Sequence, residues 1–179
     1  MKILGIVGSL RKGSLNRMLM QAIQELAPEG MTVEIAEIGN LPLFNQDLEA
    51  SFPKEAEEMK DKIRAADGVI IATPEYDRSI PGVLKNALDW TSRPYGQSAW
   101  PGKVVAVVGA SGGAIGTAVA QSHLKQILLY LDARVVGQPE FYLGGAVAKF
   151  DKDGKLTDEA TKEHIAKLLG VLGEKIRQK

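Results

Sequence analysis

Three short runs of nearly uninterrupted apolar character constrain this chain more than any other feature: Lys2–Val7, Gly68–Thr73 and Lys103–Ala110. A strand with one wet face alternates polar and apolar residues, whereas a strand covered on both faces does not. Each run leads into a loop rich in Gly, Ser or Pro, and each loop leads into a segment with apolar residues at helical spacing. After the first, Leu15, Met18, Leu19, Ala22, Ile23 and Leu26 mark a helix from Ser14 to about Ala27, stopped by Pro28 and Gly30. Buried strands alternating with helices require a parallel sheet with helices on both faces.

The remaining segments fill in that scheme. Thr32–Ile38 alternates Val33 and Ile35 with Glu34 and Ala36, as an edge strand does. Pro53–Ala66, Val83–Trp90 and Thr117–Leu131 read as helices, and Arg134–Val136 as a last strand. A terminal helix runs from Leu156 to the last residue, with Ile165, Leu168, Leu169, Leu172 and Ile176 on its buried face. Asp151–Gly154 ahead of it is a turn. Gly39–Pro53 is irregular, and its apolar Leu41-Pro42-Leu43-Phe44 is expected to pack on something, such as a partner chain or a ligand rim. Pro139–Asp153 shows no clear pattern. Five strands with right-handed crossovers give one doubly wound α/β domain over residues 1–179. Ligands of such sheets bind at the carboxyl ends of the strands, near the switch in strand order.

Composition narrows the function classes. Twenty-two basic residues balance 22 acidic ones, so no net field recruits nucleic acid or an acidic membrane. The absence of cysteine removes disulfides, thiolate metal sites and a cysteine nucleophile. No histidine or carboxylate cluster has metal-ligand spacing. Met1-Lys2 runs directly into the first strand with no signal peptide ahead of it, and no apolar run spans a bilayer, so a cytoplasmic location is expected.

The loops carry the chemistry. Gly8-Ser-Leu-Arg-Lys-Gly-Ser-Leu-Asn-Arg17 sits between a strand and a helix, where backbone N–H groups meet an anion. The first carboxylate of the following helix is Glu25, so the negative charge a helix start favours is left to a ligand. Gly8 and Gly13 are spaced like a P-loop, but the lysine that reaches the β- and γ-phosphates is missing. Gly5-x-x-Gly8 lacks the dinucleotide spacing. A single terminal phosphate fits; a solvated turn capped by Ser14 is the alternative. The second loop, Thr73–Gly82, combines two prolines with Glu75, Tyr76, Asp77 and Arg78; Ser79 can cap the next helix, with Pro81 in its first turn. In the third, Gly109-Ala-Ser-Gly-Gly113 matches the nucleophile elbow G-x-S-x-G, and Asp153 and His164 follow in the order Ser, Asp, His. That makes a serine hydrolase using Ser111 one reading. The other is that the glycines let the backbone approach a ligand closely. Trp90, Tyr95 and Trp100 cluster around Arg93-Pro94 and read as packing or a pocket rim.

Gly8–Asn16 and the long run Pro74-Glu-Tyr-Asp-Arg-Ser-Ile-Pro-Gly-Val-Leu-Lys-Asn-Ala-Leu-Asp-Trp90 resemble the NADPH-dependent FMN reductase family, which includes bacterial chromate, quinone, azo-dye and ferric reductases. The resemblance implies a flavodoxin-like fold, sheet order 2-1-3-4-5, with FMN as cofactor and NADPH or NADH as co-substrate. It implies that Ser9, Arg11, Ser14 and Asn16 hold the FMN phosphate. Pro74, Glu75, Tyr76 and Asp77 would lie along the isoalloxazine ring. Ser111, Gly112 and Gly113 would close its other side, the two glycine N–H groups facing N1 and O2. Arg78 and Tyr95 would contact substrate. Acceptors would be small molecules: quinones, flavins, azo dyes, chromate or ferric complexes. Family members assemble as dimers or dimers of dimers, and Leu124, Ile127, Leu128 and Leu131, with Tyr130 beside them, offer a helix for that. A flavodoxin-type electron carrier is the second functional class. One position departs from the family, which has Asn where this chain has Asp77. An ionised carboxylate offers only acceptors and disfavours a reduced flavin anion unless a cation such as Arg78 offsets it.

Overall fold

The computed structural model describes residues 1–178. The expected terminal helix extends to Lys179, which lies outside the described residues. In chain order the elements are β1 (Lys2–Val7), α1 (Leu15–Glu25), β2 (Thr32–Ala36), α2 (Lys54–Ala65), β3 (Gly68–Ala72), α3 (Gly82–Thr91), β4 (Val104–Ala110), α4 (Ala118–Tyr130), β5 (Arg134–Val135), β6 (Phe141–Leu143) and α5 (Glu159–Arg177). All sheet pairings are parallel, and the order β2-β1-β3-β4-β5 is the expected flavodoxin-like one.

The three apolar runs form the centre of the sheet, and β3 and β4 are buried at every residue. Their side chains alternate between two cores. Val104, Ala106, Val108 and Ala110 of β4 face α1 and α5, meeting Leu19, Ile23, Ile165, Leu169 and Leu172. Val105 and Val107 face α2, α3 and α4, meeting Ile63, Leu84, Leu88, Leu124 and Leu128. β2 is the edge strand and alternates as expected.

The fifth position of the sheet differs from the expectation. It holds two strands: β5 pairs with Val104–Val105, and β6 pairs with Val108–Ala110. Pro139–Asp153, without pattern in the sequence, contains β6 and a 3-10 turn, Ala146–Lys149. A three-residue strand is too short to show period-2 alternation.

The Gly39–Pro53 excursion packs on its own chain, which corrects the expected partner or ligand contact. The Asn86 side chain donates to the Pro42 carbonyl (2.9 Å) and accepts from Phe44 N–H (2.7 Å). Trp90 Nε1 donates to the same carbonyl at 2.7 Å, and the Phe44 and Phe52 rings meet the Trp90 ring edge-on. Asn86 and Trp90 of the long motif therefore strap this excursion to α3. Only Leu43 of the apolar quartet stays exposed, at 84%.

Candidate active site at the strand ends

β1, β3 and β4 are adjacent, so their following loops meet at one edge of the sheet, across the switch point between β1 and β3.

In the first loop, Ser14 is the N-cap of α1 and accepts from Arg17 N–H. Ser9 and Ser14 are buried, and the first turn of α1 carries no acidic residue. The N–H groups of Leu15 and Asn16 have no partner among the described residues. Arg17 forms a two-pronged ion pair with Glu37, both bonds 2.9 Å, and the guanidinium holds the Glu37 carboxyl below its usual range. Arg11 and Lys12 are thus the cations left to the loop, with the Arg11 guanidinium folded back onto the Gly13 carbonyl. Hydroxyls, open N–H groups, a positive helix end and a cation suit a phosphate.

Asn16 stands differently. It is 2% exposed, and its amide is fully engaged with the backbone of Ala110: Nδ2 donates to the carbonyl and Oδ1 accepts from the N–H, both at 2.9 Å. Its side chain ties the start of α1 to the end of β4. The backbone N–H of Asn16, not its amide, is the group left open.

The second loop is a two-residue hairpin. Tyr76 and Ser79 exchange both backbone bonds (3.0 and 2.9 Å), with Asp77 at φ +50° and Arg78 at φ +64°. Two consecutive positive φ values describe a type I′ turn. Asp and Asn are the L-residues that tolerate this region best, so the backbone accounts for both the family's Asn and this chain's Asp77. Ser79 does not cap α3 as expected; Pro81 holds that position, and the Ser79 hydroxyl meets His123 Nδ1 at 3.2 Å.

Glu75 does not lie open to a ring either. Its side chain is 10% exposed and accepts from the N–H groups of Val119 and Ala120, both at 3.1 Å, and from Arg78 Nη1 at 3.0 Å. Burial works to raise the Glu75 pKa, but the Ala120 N–H, the Arg78 guanidinium and the Val119 N–H outweigh it and hold the carboxyl below the usual range. Arg78 consequently pairs with Glu75, and no ion pair joins it to Asp77 among the described residues. What the hairpin leaves open is the Tyr76 side chain and the N–H groups of Glu75 and Asp77, which have no partner among the described residues.

In the third loop, Ser111 Oγ accepts from Gly113 N–H at 2.9 Å. Of the two glycine N–H groups assigned to the ring, Gly112's is therefore the open one. No histidine pairs with Ser111: His123 meets Ser79, and half-buried His164 stacks on Phe141 with ring centroids 4.6 Å apart. Ser111 also has an ordinary φ, unlike the strained residue of an elbow. The hydrolase reading loses its base. Gly109 is glycine for packing, since a Cβ there would lie 1.8 Å from Thr117 Oγ1 and 2.6 Å from the Thr73 carbonyl oxygen.

A fourth segment joins the site that the sequence did not reveal. Ser111 N–H donates to the Leu143 carbonyl, Ala146 N–H to Ser111 and Gly145 N–H to Gly113. Gly144 lies so close to the Ala114 carbonyl that a Cβ would meet its oxygen at 2.2 Å. The segment after β6 thus clamps the third loop and sets exposed Val147 beside Gly112. Tyr95, 88% exposed, lines a cavity of about 950 Å³ with Ser79 of the second loop and with His123, Arg93, Ile127 and Tyr130. Trp90 and Trp100 are core.

The profile of NADPH-dependent FMN reductases matches residues 1–148. The chain belongs to this family. It is 48% identical over 165 residues to a 2-hydroxy-1,4-benzoquinone reductase from Burkholderia sp, covering 92% of this chain and 90% of that one. It is 52% identical over 155 residues to a quinone reductase from Pseudomonas putida, covering 86% and 83%. Among solved structures, FerB, a flavoenzyme NAD(P)H:(acceptor) oxidoreductase from Paracoccus denitrificans, superposes with a TM-score of 0.92 at 41% identity, covering 99% and 97%. As a member of the FMN reductase family the chain is an oxidoreductase, with FMN as cofactor and NAD(P)H as reductant.

Proposed function

We propose that the chain reduces quinones with NAD(P)H through FMN held across the three strand-end loops, and that residues 1–179 form one FMN-binding domain. The observation that carries this reading is the loop after β1: two buried serines, open helix-start N–H groups and no first-turn carboxylate, next to two further loops whose open groups are mainly backbone. Bound FMN would supply the hydride and electron-transfer chemistry between the nicotinamide and the acceptor. The protein's part is placement and electrostatics. Ser9, Arg11, Ser14 and the α1 N-terminus hold the phosphate. The Pro74–Asp77 backbone and the Tyr76 ring line one side of the flavin, and Ser111–Gly113 the other. The open Gly112 N–H would face the negative charge that develops on reduction, and fixed donors of this kind stabilise such charge without reorganising.

An open site of this type also admits flavins, azo dyes, chromate and ferric complexes. The relatives' names favour quinones as acceptors. Assembly as a homodimer or homotetramer is supported by exposed Leu129, Tyr130 and Tyr95 on the α4 side. Leu124 and Leu128 serve the core instead. No helix among the described residues is long and apolar enough to cross a membrane. A cytoplasmic setting would supply the NAD(P)H.

The test is anaerobic. Purified protein should be yellow, release FMN on denaturation, bleach with NADPH or NADH alone, and regain colour on adding a benzoquinone. Protein that cannot take up FMN refutes the reading. Protein that holds FMN but needs a partner protein to bleach is an electron carrier instead.

A further inference from the structure

α4 begins without help from its own cap. Thr117 is its N-cap residue but makes no side-chain cap bond, and the first turn carries no acidic residue. Two of the orphan N–H groups of that turn, those of Val119 and Ala120, are met by Glu75, which lies 44 and 45 residues earlier on the hairpin after β3. The same carboxylate holds Arg78, the last cation of that hairpin, at 3.0 Å. One nearly buried carboxylate therefore joins the second loop to the helix that follows the third. It also meets two positive features at once, a helix N-terminus equivalent to about half an elementary charge and a guanidinium.

We propose that Glu75 is a positioning residue that sets both the width of the flavin slot and the charge beside it. This rests on the assignment of the hairpin and the third loop to the two sides of the flavin. Because Glu75 ties the hairpin to the start of the helix that leads out of the third loop, it fixes how far apart the two sides sit. Because it offsets most of the charge of the α4 terminus and Arg78, it weakens what they can do to stabilise the negative charge of reduced flavin. The remaining charge on the hairpin is Asp77, which has no ion-pair partner among the described residues. His123, from α4, meets the hairpin at Ser79. The net effect is a flavin midpoint lower than the same two positive features would give unpaired.

Three variants separate width from charge. Glu75→Gln keeps an acceptor oxygen for Val119 and Ala120 and removes the charge. Oxidised FMN should bind as in the wild type, while the two-electron midpoint potential rises. Reduced FMN held about tenfold tighter relative to oxidised corresponds to about 30 mV. Arg78→Ala, at an exposed hairpin position, should lower the midpoint, because Glu75 is then offset by the helix end alone. Glu75→Ala removes bridge and charge together, and FMN dissociation should rise about tenfold or more. Titration of apoprotein with FMN and spectroelectrochemistry of the reloaded protein read these effects without turnover. An unchanged or lower midpoint in Glu75→Gln, a higher one in Arg78→Ala, or wild-type FMN affinity in Glu75→Ala each overturns the proposal. Wild-type protein that takes up no FMN would instead refute the cofactor assignment on which it rests.

Discussion

Asn16 offers the sharpest distinction between a cofactor ligand and a brace. As a phosphate ligand it would matter only when FMN is bound. As placed, its amide fully pairs the N–H and carbonyl of Ala110 in a buried setting. Asn16→Ala strands both backbone groups at the end of β4. A buried polar group left without its partner costs about 1–3 kcal/mol, so two cost about 4 kcal/mol if no water reaches them. For a domain of this size each kcal/mol moves Tm by about 2–4 °C, which gives a fall of about 10 °C in the apoprotein. Asn16→Asp should not rescue it, because a carboxylate can accept from the Ala110 N–H but turns a second acceptor toward the Ala110 carbonyl. Calorimetry and urea unfolding of the FMN-free protein measure this directly. An apoprotein within about 1 kcal/mol of wild type, combined with a large loss of FMN affinity, would refute the brace and restore Asn16 as a ligand.

Other predictions follow from the same loops. Gly109→Ala forces a Cβ onto Thr117 Oγ1 and the Thr73 carbonyl, and should give little soluble folded protein, whereas Gly112→Ala meets only Val147 Cγ2 at 3.6 Å and should leave the apoprotein Tm unchanged while weakening FMN binding. Ser111→Ala should keep NAD(P)H-dependent quinone reduction and show no loss of any esterase activity, because no histidine pairs with Ser111; stability should fall by about 1 kcal/mol at most for one neutral hydrogen bond. Asp158 caps α5, and its carboxyl is lowered from 3.8 to about 2, first by the Thr161 hydroxyl, then by Lys149 and the Thr161 N–H. A depressed carboxyl contributes stability above its unfolded pKa and loses it as pH falls through the folded one. Wild-type stability should therefore drop between about pH 4 and pH 2, and Asp158→Asn should flatten that part of the pH profile measured by urea unfolding.

The parts of this fold that can be read from sequence are those in which local pattern and tertiary burial agree. Beyond Lys2, β1 is apolar throughout, as is Val104–Ala110, because both sheet faces are covered, and a continuous apolar run has few other uses. β6 has no such pattern to show, being three residues whose place is set by pairing with Val108–Ala110. The site divides in the same way. Loop positions follow from strand ends, so Gly8–Arg17, Thr73–Gly82 and Ala110–Gly116 do meet where the topology requires. Side-chain roles do not follow, because Asn16 pairs with the backbone of Ala110, and Glu75, besides holding Arg78, with the backbone of Val119 and Ala120, and a backbone group has no residue identity in the sequence. An Asn or Glu in a binding motif looks the same whether it touches the ligand or holds the loop that does. Here both hold the loops.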